Sequence, residues 1–173
     1  MEKIFYVDKS TYTTDVALKK ILSSVYGVPD AVILRTENGK PFVVGGPYFS
    51  VTHTKNRLYI AFSEEEIGLD AESLSRSPYY ETIVKKFAPE EQKEILCTED
   101  FLKHWVVKES AVKYLGGTLA LDLHKLKYAD SILTYNDKTL PVQLNLLKHE
   151  DFILSVCGNG HFNSPAFIDL TLL

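Results

Sequence analysis

An α+β fold built in two passes is predicted for this chain, on three observations. Short apolar runs separated by turns containing Gly, Asn or Pro read as strands, while a few segments carry the 3.6-residue apolar spacing of amphipathic helices. The order strand, helix, several strands occurs twice, with the passes meeting near residues 63–65. Phe5-Tyr6-Val7-Asp8 near the start of the first pass faintly echoes Ile67-Gly68-Leu69-Asp70 at the start of the second. The division expected is therefore an abbreviated first half, 1–64, and a second half, 65–173.

The elements follow in order. Residues 4–8 open as a strand, and a helix from Thr14 to Tyr26 is closed by Gly27 and Pro29. Strands are expected at 31–35, 41–44, 48–53 and 58–63, set apart by Asn38-Gly39, Gly45-Gly46-Pro47 and Lys55-Asn56 turns. The second half opens with a strand at 67–72 and continues with helices at 79–87, at 89–97 with Pro89 in its first turn, and at 99–115 behind a Thr98 cap. Strands at 126–135, 141–148 and 152–158 and an apolar tail from 166 to 173 complete the chain.

Composition narrows the function classes. A chain of 173 residues with 45% hydrophobic and 24% charged residues is ordinary for a soluble globular protein. A net charge of −4 disfavours general nucleic-acid binding. No run of 18 apolar residues and no signal-peptide core is present, so a cytoplasmic protein is expected. Cys97 and Cys157 lack metal-ligand spacing and are expected as free buried thiols. His104, His124, His149 and His161 share no motif and are expected as surface or core residues.

Chemistry concentrates in two clusters. Within 98–115, Phe101, Trp105 and Val112 mark a buried helix stripe, Glu109 and Lys113 are i,i+4 neighbours on one flank, and Lys108 is offset by about 100°. Alone, Glu109 and Lys113 would read as a surface pair worth about 0.2–0.5 kcal/mol. Upstream, Asp70 and Glu72 of Ile67-Gly68-Leu69-Asp70-Ala71-Glu72 point to one face of a strand. Two such carboxylates repel unless a cation lies between them, and a hard divalent ion is the economical answer beside a plain solvated strand edge. Gly68 within the strand marks a close backbone approach or a bulge.

Together the clusters resemble the signature of the 4′-phosphopantetheinyl transferase superfamily, a G-[IV]-D-x-E segment followed by a W-x-x-K-E-[SA]-x-x-K helix. The corresponding residues are Gly68-Leu69-Asp70-Ala71-Glu72, with Leu69 at the Ile or Val position, and Trp105 to Lys113, with Val106 where many members carry a small polar residue. Gly39-Lys40-Pro41 is similar to the family's G-K-P loop, and Phe49-Ser50-Val51-Thr52-His53-Thr54 to its F-x-[IV]-S-H-[ST] segment, with Thr52 replacing Ser. Gly116-Gly117-Thr118-Leu119 falls where the family has a Gly-rich turn.

The resemblance implies a pseudo-duplicated fold, two similar α+β halves with the active site in the cleft between them, and a monomer rather than the trimer of half-length relatives. It implies a transferase that moves 4′-phosphopantetheine from coenzyme A to a serine of an apo acyl or peptidyl carrier protein, releasing 3′,5′-ADP. Asp70, Glu72 and Glu109 would hold Mg²⁺, with Mn²⁺ as a substitute. Lys108 and Lys113 would face the phosphates, His53 and Thr52 would reach them from the opposite wall, and Lys40 and Pro41 would sit near the nucleotide. Glu109, Lys113 and His53 are the candidate catalytic residues, with Glu109 or a metal-held water as general base. Lys9, Lys19 and Lys20 are candidates for the 3′-phosphate of coenzyme A, and Lys85-Lys86 for docking an acidic carrier protein. Two other readings stand beside this one: a Mg²⁺-dependent phosphohydrolase, and a non-catalytic module of the same fold that binds coenzyme A or a carrier protein.

Overall fold

The computed structural model describes residues 2–8, 12–76 and 79–173. In the first half, β1 (Lys3–Asp8) leads into α1 (Thr14–Tyr26), followed by β2 (Leu34–Arg35), β3 (Pro41–Phe42), β4 (Tyr48–His53) and β5 (Arg57–Ser63). The second half runs β6 (Ile67–Ser73), α2 (Glu81–Val84), α3 (Pro89–Glu94), α4 (Thr98–Tyr114), α5 (Leu119–Asp122), a 3-10 turn at Leu123–Lys125, β7 (Leu126–Ala129), β8 (Ile132–Tyr135) and β9 (Lys138–Thr139). It then closes with β10 (Gln143–His149), β11 (Phe152–Gly158) and β12 (Ala166–Phe167). The fold is α+β.

Both halves wind their main sheet the same way. β1 pairs antiparallel with β5, and β5 with β4; β6 pairs antiparallel with β11, and β11 with β10. Each half thus places its last long strand between its first and its next-to-last. Those central strands are apolar on both faces because each sheet is covered twice. Phe5, Val7, Leu58, Ile60 and Phe62 pack on α1, which buries Ala17, Leu18, Ile21 and Leu22 completely. At about 1.5–3 kcal/mol for each fully buried Leu or Ile, this stripe fixes α1 against the sheet. The alternate residues Ile4, Tyr59 and Ala61 face Ile67, Leu69, Ala71, Leu154 and Val156 of the other sheet. Helix α4 covers that sheet's far face through Val106, Val107 and Ala111, so the layers run helix, sheet, sheet, helix.

Termini and turns follow local chemistry. α1 ends at Gly27 in the left-handed conformation (φ 65°). α4 begins one residue earlier than its sequence suggests: Cys97 holds the cap position, and the Asp100 carboxylate accepts from the backbone N–H of both Leu96 and Cys97 at 3.1 Å. The single strand expected at 126–135 is instead the hairpin β7–β8, turned by Asp130 and Ser131 at φ 50° and 63°. Positive φ at both central residues is the geometry of a two-residue hairpin, usually announced by glycine, and Asp-Ser does not announce it. The helices expected at 79–87 and 89–97 are shorter, ending at Val84 and Glu94. Cys157 is buried as expected, but Cys97 is exposed because it lies at a helix start.

The tail from 166 leaves the second half's sheet altogether. β12 pairs parallel with β1, Leu170 joins the core under α1, and Lys20 donates to the Leu170 carbonyl at 2.9 Å.

Candidate active site at the seam between the halves

The site begins at a glycine. A Cβ on Gly68 would stand 1.9 Å from the Ser110 carbonyl oxygen and 2.4 Å from the Tyr114 nitrogen, so the backbone of α4 lies directly on β6. This close approach, which only glycine permits, sets the Glu109 and Lys113 end of the helix beside Asp70 and Glu72.

Asp70 is 4% exposed and its Oδ1 is held from two sides. Thr52 Oγ1 donates to it at 2.8 Å from β4, and Lys113 Nζ at 2.7 Å from α4. Glu72, two residues on and on the same face, pairs with the Arg76 guanidinium. Burial and then the Asp70 charge push the Glu109 carboxyl up to about 7; Lys113 pulls the other way and Glu72 adds to the rise. Three carboxylates therefore act on one another in a partly buried place, with Lys113 and Arg76 as partial counter-charges.

Hard oxygen donors with excess negative charge suit Mg²⁺ in kind. Among the described residues, however, no three His, Cys, Asp or Glu side chains converge as a ready metal site.

Lysines 40 and 113 also complete the strand. β6 pairs with β11 on one edge only, and its other edge faces β4 without a backbone ladder. There Lys40 Nζ donates to Ile67 O at 2.9 Å, Lys113 Nζ to Leu69 O at 2.9 Å, and Ser50 Oγ accepts from the Leu69 N–H at 2.9 Å. Lys40 further donates to the Lys113 carbonyl at 2.6 Å and pairs with Glu66. Its ammonium is thus engaged in joining the loop before β3 to β6 and to α4. Pro41 follows it into β3, and both line a pocket of about 200 Å³ with Lys113, Gly116 and Gly117. Asn38 Nδ2 donates to the Gly116 carbonyl at 2.8 Å, drawing the G-K-P loop and the Gly-rich turn together.

One expected residue lies elsewhere, and two others divide between the seam and the cleft beside it. Lys108, expected at the phosphates, is 1% exposed; its Nζ donates to both carboxylate oxygens of Glu91 at 2.8 Å and to Leu126 O at 2.7 Å, over the Phe87 ring. The cause is helical phase, since Lys108 stands three residues after Trp105 and seven after Phe101 and so shares the buried stripe, away from Glu109. Its partner Glu91 also caps the Ala88 and Tyr128 N–H groups and escaped the sequence reading. His53 and Thr52, expected to act from one wall, are adjacent strand residues and face opposite ways. Thr52 is buried at the seam, whereas His53 is exposed and hydrogen-bonds Thr14 Oγ1 through Nε2 at 2.9 Å.

His53 does share a cleft with Glu72, one member of the acidic cluster. A cleft of about 850 Å³ is lined by His53 and Arg57 from the first half and by Glu72, Arg76, Glu150 and Phe152 from the second. Arg76 was also missed by sequence reasoning, since i,i+4 spacing marks a pair only on a helix and Glu72 lies near the end of a strand that turns just before Arg76. Of the three lysines considered for a 3′-phosphate, Lys9 lies outside the described residues, and Lys19 and Lys20 line a groove of about 540 Å³ that shares no residue with this cleft.

Residues 66–157, more than half the chain, match the sequence profile of the 4′-phosphopantetheinyl transferase superfamily. The chain belongs to that superfamily.

The matched segment of this superfamily member contains Asp70, Glu72, Glu109 and Lys113, while Lys40, Thr52 and His53 precede it. Curated relatives agree. A 4′-phosphopantetheinyl transferase of Bacillus subtilis is 28% identical over 133 residues, which is 69% of this chain and 58% of the relative. One of Aneurinibacillus migulanus is 28% identical over 111 residues, 59% of this chain and 46% of the relative. The L-aminoadipate-semialdehyde dehydrogenase-phosphopantetheinyl transferase of Xenopus laevis is 25% identical over 140 residues, 68% of this chain and 46% of the relative. The chain spans about half the length of the curated relatives it matches.

Proposed function

We propose that this protein is a Mg²⁺-dependent 4′-phosphopantetheinyl transferase that uses coenzyme A to modify a serine of an apo acyl or peptidyl carrier protein. The observation that carries this reading is the Asp70, Glu72, Glu109 and Lys113 cluster at the seam, inside the segment that matches the superfamily. In the reaction the serine oxygen bonds to the β-phosphorus of coenzyme A, the bond from that phosphorus to the bridging pyrophosphate oxygen breaks, and 3′,5′-ADP leaves. The serine proton passes to Glu109 or to water.

Such chemistry asks a protein chiefly for positioning and for charge where the transition state develops it. Asp70, Glu72 and Glu109 would hold the Mg²⁺, which when bound neutralises pyrophosphate charge as a Lewis acid. Lys113 stands on Asp70 within the seam and adds a cation next to the bound phosphates. Lys40 and Pro41 shape the small pocket beside it, and His53 lines the large cleft together with Glu72. The protein would work as a monomer, since both walls of the cleft come from one chain. Among the described residues no helix is long and apolar enough to cross a membrane.

Intact-mass spectrometry of apo acyl carrier protein incubated with this protein, coenzyme A and Mg²⁺ tests the reading. Gain of one phosphopantetheine group that EDTA abolishes is expected, and Asp70→Ala should slow it by roughly 10²–10⁴-fold. No gain on several fatty-acid and peptidyl carriers, with coenzyme A still raising the melting temperature, would replace the transferase with a binding module of the same fold. Release of product from coenzyme A without any carrier protein would point to a hydrolase.

A further inference from the structure

We infer that Thr52 is a positioning residue, which acts through Asp70. The inference rests on the metal-site reading above. Three observations carry it. A threonine hydroxyl has a single hydrogen, and here it is donated to Asp70 Oδ1 at 2.8 Å. Thr52 is 4% exposed and on the face of β4 turned away from His53, which faces the open cleft. Because β4 and β6 share no backbone ladder, this bond and the Ser50 to Leu69 bond hold the two strands together.

The geometry at Asp70 gives the hydroxyl a purpose. Oδ1 is fixed between two donors on opposite sides, Thr52 Oγ1 from the first half and Lys113 Nζ from the second. Two bonds to one oxygen settle the rotation of the carboxylate, and among the described residues Oδ2 accepts no hydrogen bond. Oδ2 is then the oxygen left for a cation. A partner that orients a metal-ligating carboxylate in this way is commonly worth about 10–100-fold in metal affinity. Lys113 cannot do this alone, because its ammonium also serves the Leu69 carbonyl and turns with the α4 side chain. Thr52 adds a short, β-branched side chain with little rotamer freedom, anchored in a different half.

The test uses the full chain without coenzyme A. Mn²⁺ affinity is measured by electron paramagnetic resonance for the parent, Thr52→Ser and Thr52→Val, and coenzyme A affinity is measured separately in EDTA. Positioning predicts that Thr52→Val weakens Mn²⁺ binding by about 10–100-fold, that Thr52→Ser stays within about threefold, and that metal-free coenzyme A binding is unchanged. Thr52→Val with parental Mn²⁺ affinity overturns the inference, as does a loss confined to coenzyme A, the mark of a direct phosphate contact. Should Thr52→Val not fold, Thr52→Ala takes its place with the same expectations. If the parent chain itself binds no Mn²⁺, the reading that remains is a metal held partly by substrate phosphates. The anchoring of Asp70 is then decided by a stability cycle over Thr52→Val, Asp70→Ala and the double variant: non-additive effects uphold it and additive ones reject it.

Discussion

A lysine buried to 1% exposure is tolerable only when its charge is answered, and Lys108 is answered by both oxygens of Glu91. Removing one member leaves the other charged and stranded, which costs about 3–5 kcal/mol. Lys108→Met is accordingly expected to lower chemical-denaturation stability by that much, and adding Glu91→Gln should restore part of it by removing the stranded charge. The Ala88 N–H donates to Oε2 and the Tyr128 N–H to Oε1, so glutamine keeps an acceptor for one of the two and Glu91→Leu for neither. The two cysteines make a second residue-scale contrast. Burial pushes the Cys157 thiol up to about 12, while Cys97 is exposed at the start of α4. Iodoacetamide should label Cys97 in the native protein and reach Cys157 only after denaturation, as peptide mass mapping would show. Spacing revealed Asp70, Glu72, Glu109 and Lys113 in the sequence because i,i+2 on a strand and i,i+4 on a helix fix which face a side chain shares. It did not reveal Lys108 with Glu91, a pair 17 residues apart that no local pattern links. Nor could it show that Lys40 is spent on carbonyl groups, since backbone acceptors leave no mark in a sequence.

Among the elements, α4 on β6 is the contact that the site depends on. An alanine methyl at Gly68 would collide with backbone rather than with a flexible side chain, so the helix must move. Gly68→Ala is expected to lower the melting temperature markedly and to impair the proposed transfer, whereas Gly39→Ala meets no neighbouring atom and is strained only by its φ of 84°. Element types were readable where pattern and punctuation agreed. The helix Thr14–Tyr26 with Gly27, the strand Tyr48–His53 and the strand Phe152–Gly158 are found with the bounds expected. Agreement failed where turn chemistry was atypical, as at Asp130-Ser131, or where helices were a turn or so long and rest on tertiary packing, as in α2 and α5.

At the scale of the molecule, the halves are also clasped by an aromatic and charged cluster at the floor of the large cleft. Arg57 reaches Glu150 at 2.7 Å and lies over the Tyr6 ring, while His149 packs on Tyr6 and hydrogen-bonds the Tyr59 hydroxyl at 3.1 Å. Burial, with the Arg57 charge adding to it and Glu150 opposing, holds the His149 imidazole below its ordinary range near 6.5. The unfolded chain therefore binds more protons at this residue than the folded one, and stability falls as pH drops below about 6.5. His149→Gln should flatten the melting-temperature profile between about pH 6.5 and 5, and an unchanged slope would remove His149 as its source. The sequence suggested two passes, and it gave no sign that the tail would pair with β1, because a two-residue strand carries no pattern.

That crossing governs the order in which the protein can be completed. β12 and Leu170 belong to the sheet and core begun by β1 and α1, yet they are translated long after them. As the chain emerges from the ribosome, the first half waits with an open strand edge and an unfilled apolar gap until residues 166–170 have been made. The second half, whose β6, β11 and β10 all lie between, can close sooner. The first to be synthesised would thus be the last to be sealed, and nascent chains stalled before residue 166 should expose the β1 edge to chaperones and proteases.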